Sequence, residues 1–227
     1  MKNIVDALYN SVLFKNIPRD EINNSLSSIE YIIKYYEKKE SIFRINQKSE
    51  YVGIILEGSV EIEKNLASGK KIIVLYKEKG ESIGECSVFS KLNTYSCDIL
   101  AKTRSKILLV SRQDIFHLIN NDPILLKNIL ELFANQIHLL NLKTELLSYS
   151  SIQQKIAFSL LYLMDEYKYD NVIQLPYSKK IWSEHLNVSR PSLFRELKLL
   201  CNQNFIHIKN RDITIVNKNC LINLLND

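Results

Sequence analysis

The stretch SKKIWSEHLNVSRPSLFRELKLL, residues 178–200, has the pattern of two short helices joined by a tight turn. Ser178 and Ser189 are good N-cap residues, and each precedes a run with helical periodicity. Asn187 tolerates the left-handed backbone conformation that ends a helix, and Pro191 is compatible with a first helical turn. The expected core of the motif consists of Trp182, Leu186, Val188, Leu193 and Leu197. The stretch therefore predicts a helix-turn-helix.

The second helix and the segment after it carry side chains suited to contact with DNA. Arginine presents two parallel N–H donors that match O6 and N7 of guanine in the major groove. The segment FIHIKNRDITIV, residues 205–216, alternates apolar and polar residues on either side of a polar turn, which predicts a hairpin wing. The residues expected to contact DNA are Ser189, Arg190, Ser192, Arg195, Lys198, Lys209 and Arg211.

Charge is concentrated in the same region. The formal net charge of the chain is +5, and between residues 178 and 211 seven basic residues face only two acidic ones, Glu184 and Glu196. A basic segment that coincides with a helix-turn-helix indicates a polyanionic partner, double-stranded DNA. The alternative interpretation is a small helical bundle whose charges only keep it soluble.

A long helix is predicted upstream, with Asp122 as N-cap and Pro123 at its first position. Its apolar residues recur at alternating spacings of four and three, which is typical of a coiled-coil seam. The expected homodimer interface is Leu126, Leu130, Phe133, Ile137, Leu140, Thr144 and Leu147. The apolar stripe is widened by Leu125, Ile129, Leu132 and Leu139. Packing against the chain's own N-terminal domain is therefore an alternative, and both contacts can coexist.

The N-terminal part changes its periodicity near residue 40. About the first 35 residues predict short helices, with Pro18 in a first turn. Short β-rich runs then follow, with turns such as NLASGKK at 65–71 between them: residues 51–65, 70–80 and 105–115. Several short strands with no long helix between them predict an antiparallel β-roll.

These patterns together predict an α+β chain with three parts. Residues 1–121 form an N-terminal antiparallel β-roll, the effector or sensor domain, with flanking short helices. Residues 122–149 form the dimerisation helix, and residues 150–227 form a winged helix-turn-helix. The Ser-rich junction at 148–151 is the expected hinge.

Composition excludes several other classes. With 46% apolar and 24% charged residues, the chain is typical of a globular protein. Neither a run of 18 apolar residues nor a signal peptide is present, so we expect a cytoplasmic protein without a membrane partner. The four cysteines form no CxxC pair and the four histidines are scattered, so we expect no metal site and no catalytic residues.

Three stretches of the sequence carry a resemblance to a known family. GESIGE at 80–85 with Phe89, and AKT at 101–103, resemble the pocket segment of the Crp/Fnr family of bacterial transcription regulators. SRPSLFREL at 189–197 resembles the recognition helix of that family, and the order of elements matches it across nearly the whole chain. The resemblance implies a homodimeric regulator, not an enzyme, that binds a two-fold DNA operator and has RNA polymerase as a further partner.

The resemblance also identifies an effector pocket. In cyclic-AMP-binding members a Glu contacts the ribose, and Glu85, after Gly84, matches it. The phosphate is held there by an Arg followed by Ser or Thr, but this chain has Tyr95 and Ser96. A buried phosphate without its arginine would lose charge-assisted, bidentate hydrogen bonds, at a cost of roughly 3–5 kcal/mol. We therefore expect no response to cyclic AMP.

No other effector or cofactor can be assigned from the sequence. In the family, a pair of polar residues on the long helix contacts the adenine, and the resemblance places this pair at Leu140 and Asn141. Leu140 has no hydroxyl, so the first of these two contacts is lost. Iron–sulfur members need an N-terminal cysteine cluster, and no cysteine precedes Cys86. Cys86 and Cys97 flank the pocket segment, which leaves thiol sensing open. Tyr95 is compatible with a neutral or aromatic effector, or with a cavity plugged in a constitutively active form.

The recognition helix departs from the family at one position. Arg190 and Arg195 match the arginines with which the family contacts bases and the DNA backbone. Pro191, however, stands where many members have a Glu that accepts a hydrogen bond from cytosine. We expect altered discrimination at that base pair and half-sites about one helical turn apart. Two other functions stay open, a sensor or interaction module without a DNA role and a cupin-like enzyme.

Overall fold

The structure is a computed structural model that describes residues 2–65, 71–168 and 170–226. The chain divides into two compact units, Met1–Asn135 and Gln136–Asp227. The division falls within the long helix α5, Pro123–Ser148. In the described part of the chain, every helix is too short or too polar to cross a membrane.

The first unit is an antiparallel β-roll with short helices at both ends. Its strands form two four-stranded sheets, in the orders β1-β8-β3-β6 and β2-β7-β4-β5. The strands are β1 Tyr31–Tyr36, β2 Ser41–Phe43, β3 Tyr51–Glu57, β4 Ser59–Asn65, β5 Lys71–Glu78, β6 Ser82–Ile83, β7 Asp98–Ala101 and β8 Ser105–Ser111. The helices are α1 Lys2–Tyr9, α2 Arg19–Ser27, α3 Glu85–Val88 and α4 Arg112–Asn121. The predicted antiparallel β-roll is confirmed. The turn expected at 65–71 falls mostly on residues 66–70, outside the described residues.

The central strands of the roll bury both faces, which explains their near-continuous apolar sequence. On β3 and β8, Ile54 and Leu108 pack against the N-terminal helices. Their sequence neighbours Ile55 and Ile107 point into the space between the two sheets. Successive strand residues face opposite sides, so a strand with a core on each side needs apolar residues at every position.

One predicted element is wrong. The helical prediction continued to about residue 35, but α2 ends at Ser27 and residues 31–36 form strand β1. This strand, YIIKYY, is rich in aromatic and β-branched residues, which favour a pleated surface. It pairs antiparallel with β8, with Tyr31 opposite Val110 and Tyr36 opposite Ser105. The partner strand lies far along the chain, so local periodicity could not reveal this pairing.

The second unit contains the C-terminal part of α5 and the remaining elements. These are α6 Ile152–Glu166, β9 Val172–Gln174, α7 Lys179–His185, α8 Arg190–Asn202, β10 Ile206–Lys209, β11 Asp212–Ile215 and α9 Lys218–Asn226. The strands form one antiparallel sheet in the order β10-β11-β9. Ser151 begins α6 with a reciprocal capping box to Gln154. Leu146 of α5 and Trp182 of α7 share the apolar core of this unit.

Candidate nucleic-acid interface and effector pocket

The helix-turn-helix forms as its capping residues predict. Ser178 Oγ accepts the N–H of Ile181 at 3.3 Å, which begins α7. Asn187 has a φ of 54°, the left-handed conformation that the turn requires. Ser189 Oγ accepts the N–H of Ser192 at 3.2 Å and begins α8. Two capped helices separated by a left-handed residue confirm the predicted motif.

The core of the motif also forms from the predicted residues. Trp182, Leu186, Leu193 and Leu197 are buried, and Val188 packs against them. The indole Nε1 of Trp182 donates to Ser159 Oγ of α6 at 2.9 Å, so the buried N–H is satisfied. This hydrogen bond fixes the first helix of the motif against α6.

The predicted DNA-contacting residues of α8 differ in their surroundings. Arg190, Arg195 and Lys198 are exposed. The Arg190 guanidinium lies 5.6 Å from the ring centroid of Phe194, an exposed aromatic residue that the sequence analysis did not single out. The side chain of Arg195 is 70% exposed, and its Nε pairs with Glu196 Oε1 at 3.1 Å. The Glu196 side chain is 14% exposed and also accepts a hydrogen bond from Gln153 Nε2 at 3.0 Å. Because the Arg195 side chain itself is largely in solvent, the pair is worth little and leaves Arg195 available to a stronger anionic partner.

The two serines of this set already have local hydrogen bonds. The hydroxyls of Ser189 and Ser192 lie 2.8 Å apart, and Ser189 Oγ also accepts a backbone N–H. In this structure the two hydroxyls therefore take part in capping the N-terminus of α8.

The wing is a short antiparallel hairpin in the same unit. Residues of β10 and β11 pair from Ile206 opposite Ile215 to Lys209 opposite Asp212. Asn210 at the turn has a φ of 58°. Lys209 and Arg211 are exposed on either side of this turn, so the hairpin carries two cations at its end.

In the first unit, the candidate pocket begins at Gly84 between β6 and α3. Glu85, which matches the family's ribose-binding carboxylate, is 3% exposed. Its Oε1 accepts a hydrogen bond from Lys77 Nζ at 2.7 Å, and the same Nζ donates a second hydrogen bond to the Ser82 carbonyl at 2.6 Å. Lys77 was missed by the sequence analysis, because a lysine on an apolar strand gives no sign of its distant partner. One oxygen of the carboxylate that would contact a ribose is therefore already paired with the Lys77 ammonium group.

Tyr95 is buried and fills the other part of this candidate pocket. Its ring stacks on Phe43 with centroids 4.2 Å apart. Its hydroxyl donates to the Tyr51 carbonyl at 2.8 Å, and burial raises the pKa of Tyr95 to about 12. A Cβ added at Gly84 would lie 3.0 Å from ring atoms of both Phe43 and Tyr95. The two aromatic rings thus occupy the space beside the glycine backbone.

The remaining predicted pocket residues are surface residues. Ser96 is exposed, and its N–H approaches Ser87 Oγ at 3.4 Å. Leu140 and Asn141 belong to the second unit, on the exposed surface of α5. Burial and then the neighbouring Glu85 raise the pKa of the Cys86 thiol, which lowers its thiolate fraction at neutral pH. The structure brings Gly84, Glu85 and Tyr95 together.

Within residues 2–65, 71–168 and 170–226, no three His, Cys, Asp or Glu side chains lie close enough together to hold a metal ion.

The predicted coiled-coil seam of α5 leaves large apolar side chains at the surface. Ile137 is 58% exposed, and Leu126, Leu130, Leu140 and Leu147 are exposed as well. Phe133 instead contacts Phe89 of the roll edge-to-face, at 5.7 Å between centroids. Thr144 is exposed and donates its hydroxyl to the Leu140 carbonyl at 2.9 Å. Of the residues that widen the stripe, Leu125 and Ile129 are buried in the first unit, whereas Leu139 is exposed.

Comparison with known proteins agrees with both halves of this geometry. Residues 33–122 match the cyclic nucleotide-binding domain, and residues 154–224 match the Crp-like helix-turn-helix domain. The cAMP-activated global transcriptional regulator CRP of Salmonella typhimurium is 25% identical over 186 residues, which are 81% of this chain and 89% of that protein. The cyclic AMP receptor protein of Thermus thermophilus is 23% identical over 154 residues, which are 68% and 70% of the two chains.

A solved structure has the same fold. The catabolite activator protein of Thermus thermophilus superimposes with a TM-score of 0.57 at 20% identity, covering 95% of this chain and 98% of that one. With a nucleotide-binding-type β-roll followed by a Crp-like helix-turn-helix, the chain belongs to the Crp/Fnr family of transcription regulators.

Proposed function

We propose that this chain is a homodimeric, sequence-specific DNA-binding transcription regulator that acts in the cytoplasm and does not respond to cyclic AMP. The observation that carries the DNA-binding part is α8, a capped helix whose exposed face bears Arg190, Arg195 and Lys198. In this proposal residues 1–121 are a sensor domain, 122–149 the dimerisation helix and 150–227 the DNA-binding domain.

The contacts with DNA divide into two kinds. Arg190 lies in the first turn of α8 and carries the guanidinium that matches guanine O6 and N7, so it reads a base. Arg195, Lys198, Lys209 and Arg211 contact phosphates, which position the protein but carry no sequence information. Ser189 and Ser192 hold the start of the helix, and their hydroxyls lie near the DNA backbone.

Dimerisation follows from the exposed seam on α5. Large apolar side chains at spacings of four and three gain most by packing against an identical helix. A two-fold protein dimer presents two copies of α8, so its operator has two-fold symmetry. RNA polymerase is a further partner in this proposal, since the curated relatives are named as transcriptional regulators.

Insensitivity to cyclic AMP is supported by the two side chains that replace ligand contacts. Lys77 pairs with Glu85, and the Tyr95 ring stacks on Phe43 where a phosphate-binding arginine is expected. A nucleotide would have to break a buried ion pair and displace a buried ring without gaining an arginine–phosphate contact. Isothermal titration calorimetry should give no binding heat at micromolar cyclic AMP, and saturable micromolar binding would refute this part.

The DNA-binding role is tested by the variant Arg190→Ala. Loss of a bidentate arginine–guanine contact should weaken binding to a selected operator by about 1–3 kcal/mol and relax the preference at one guanine. Fluorescence anisotropy on operator and random DNA measures both affinities. Arg44→Ala removes the same charge from an exposed position in the first unit and serves as the control. Equal weakening on operator and random DNA would show that Arg190 contacts phosphate and does not read a base.

A further inference from the structure

The second unit contains a cavity that no part of the proposed function uses. It has a volume of about 230 Å³, opens to the protein surface, and lies between the C-terminal part of α5, helix α6 and the end of α7. This volume is below the roughly 300–1,000 Å³ of pockets that hold drug-sized ligands, so the cavity suits a smaller molecule.

The walls of the cavity are largely apolar. The non-polar and aromatic part of the lining comes from Leu139, Leu142 and Leu146 of α5, Phe158 and Tyr162 of α6, and Leu186 directly after α7. Ser159 also lines it, but its Oγ already accepts the indole N–H of Trp182 at 2.9 Å. A ligand in this space would therefore be held mainly by its hydrocarbon part.

Two basic side chains complete the lining. Lys143 of α5 and His185 of α7 both border the cavity. Burial lowers the pKa of His185 and the Lys143 charge lowers it further, against an opposing effect of Glu184. A neutral imidazole beside an ammonium group offers one N–H donor and one positive charge. An anionic group placed there would accept a hydrogen bond from each.

The cavity is compatible with dimerisation through α5. Leu142 and Leu146 are each two residues beyond a seam position, Leu140 and Thr144. Residues two apart are separated by about 200° around a helix, so these two leucines face away from the seam, whereas Lys143, four residues before Leu147, lies at the edge of the seam face. A ligand would contact the dimerisation helix and the last turn of α7, next to the turn residue Asn187, at the same time.

We propose that this cavity binds a small apolar monocarboxylate, with its hydrocarbon chain between α5 and α6 and its carboxylate at Lys143 and His185. The proposal is independent of cyclic AMP and of the DNA contacts, and it gives the chain a second place at which a ligand can act. Because the ligand contacts both α5 and α7, it can favour one arrangement of the helix-turn-helix over another.

The probe for the test is sodium octanoate, added to the full chain at concentrations that leave its circular dichroism unchanged. Trp182 is the only tryptophan of the chain, and its hydrogen-bond acceptor Ser159 lines the cavity, so its fluorescence reports occupancy. Octanoate should give a saturable change in the fluorescence of Trp182. Octanol, which has the same chain without the charge, should bind more weakly, and octylammonium should give no saturable change.

Two variants locate the site. Lys143→Gln should weaken octanoate binding about tenfold, the size expected for one charge-assisted hydrogen bond, and leave octanol binding unchanged. Lys127→Gln removes an exposed lysine elsewhere on α5 and should bind as the wild type does. Leu142→Phe fills the cavity and should abolish binding of both probes, with the emission of Trp182 in ligand-free protein as the check on folding. No saturable change in the wild type, or equal octanoate affinity in Lys143→Gln, would overturn the proposal.

Discussion

Lys77 and Glu85 form a buried ion pair in the candidate pocket. Glu85 is the residue that the sequence predicts to contact a ligand, yet its Oε1 lies 2.7 Å from the Lys77 ammonium and both side chains are almost fully buried. Removing two charges from water is costly, and the cost is recovered only while both partners are present. The pair therefore serves the fold of the roll in the absence of any ligand.

The variant Lys77→Met should be strongly destabilising. It leaves the buried Glu85 carboxylate without its ammonium partner, which should lower the free energy of unfolding by about 3–5 kcal/mol. Urea unfolding followed by circular dichroism measures the change. Lys79→Met, at an exposed position two residues away, is the matched control and should be nearly neutral.

A double variant separates the loss of pairing from the loss of packing. Lys77→Met combined with Glu85→Gln removes the uncompensated charge, so it should recover most of the lost stability. If Lys77→Met alone is no less stable than Lys79→Met, the ion pair does not contribute as described.

At the scale of residues, the sequence identified Glu85 through the motif GESIGE, and Tyr95, ten residues later, in place of an arginine. It did not identify the side chains that Glu85 and Tyr95 contact. The stack joins Tyr95, between α3 and β7, to Phe43 of β2, and the ion pair joins Lys77 of β5 to Glu85 of α3. Such contacts are set by the tertiary fold, which short-range sequence patterns do not encode.

At the scale of elements, capping residues and periodicity predicted the helices well. Helix α5 begins at Pro123, and the Asp122 carboxylate accepts the N–H of Ile124 at 2.8 Å, as expected of an N-cap. Helices α7 and α8 begin after their serine caps for the same reason. Strand β1 was missed because its partner β8 lies far along the chain, and a tertiary pairing overrides a local helical pattern.

The seam of α5 gives a prediction about association. Ile137→Glu places a charge at a seam position, and the homodimer should dissociate at micromolar concentration because a buried charge pair of like sign would form at its centre. Sedimentation equilibrium measures the mass of the species. Leu139→Glu is a close control, since Leu139 is 61% exposed on the same helix but outside the seam.

The two variants should behave differently. Leu139→Glu should stay dimeric at concentrations where Ile137→Glu is a monomer. A wild-type chain that is monomeric at high concentration, or equal dissociation of the two variants, would contradict the assignment of the seam.

At the scale of the whole molecule, two units with separate cores are joined through one continuous helix. The first unit has the fold of a nucleotide-binding domain but fills its pocket with its own Lys77 and Tyr95 side chains. The second carries the helix-turn-helix, with basic residues on α8 and on the wing. This division supports the proposal of a DNA-binding regulator whose control does not depend on cyclic AMP.

The central claim is that two copies of the chain present two α8 helices to one DNA duplex. Selection of bound sequences from a random double-stranded pool, in the absence of any nucleotide, tests this claim most directly. The account predicts an enriched two-fold symmetric site that contains a guanine in each half, with half-site centres about one helical turn, roughly 10 base pairs, apart. An enriched motif without two-fold symmetry, or no enrichment over the starting pool, would contradict it.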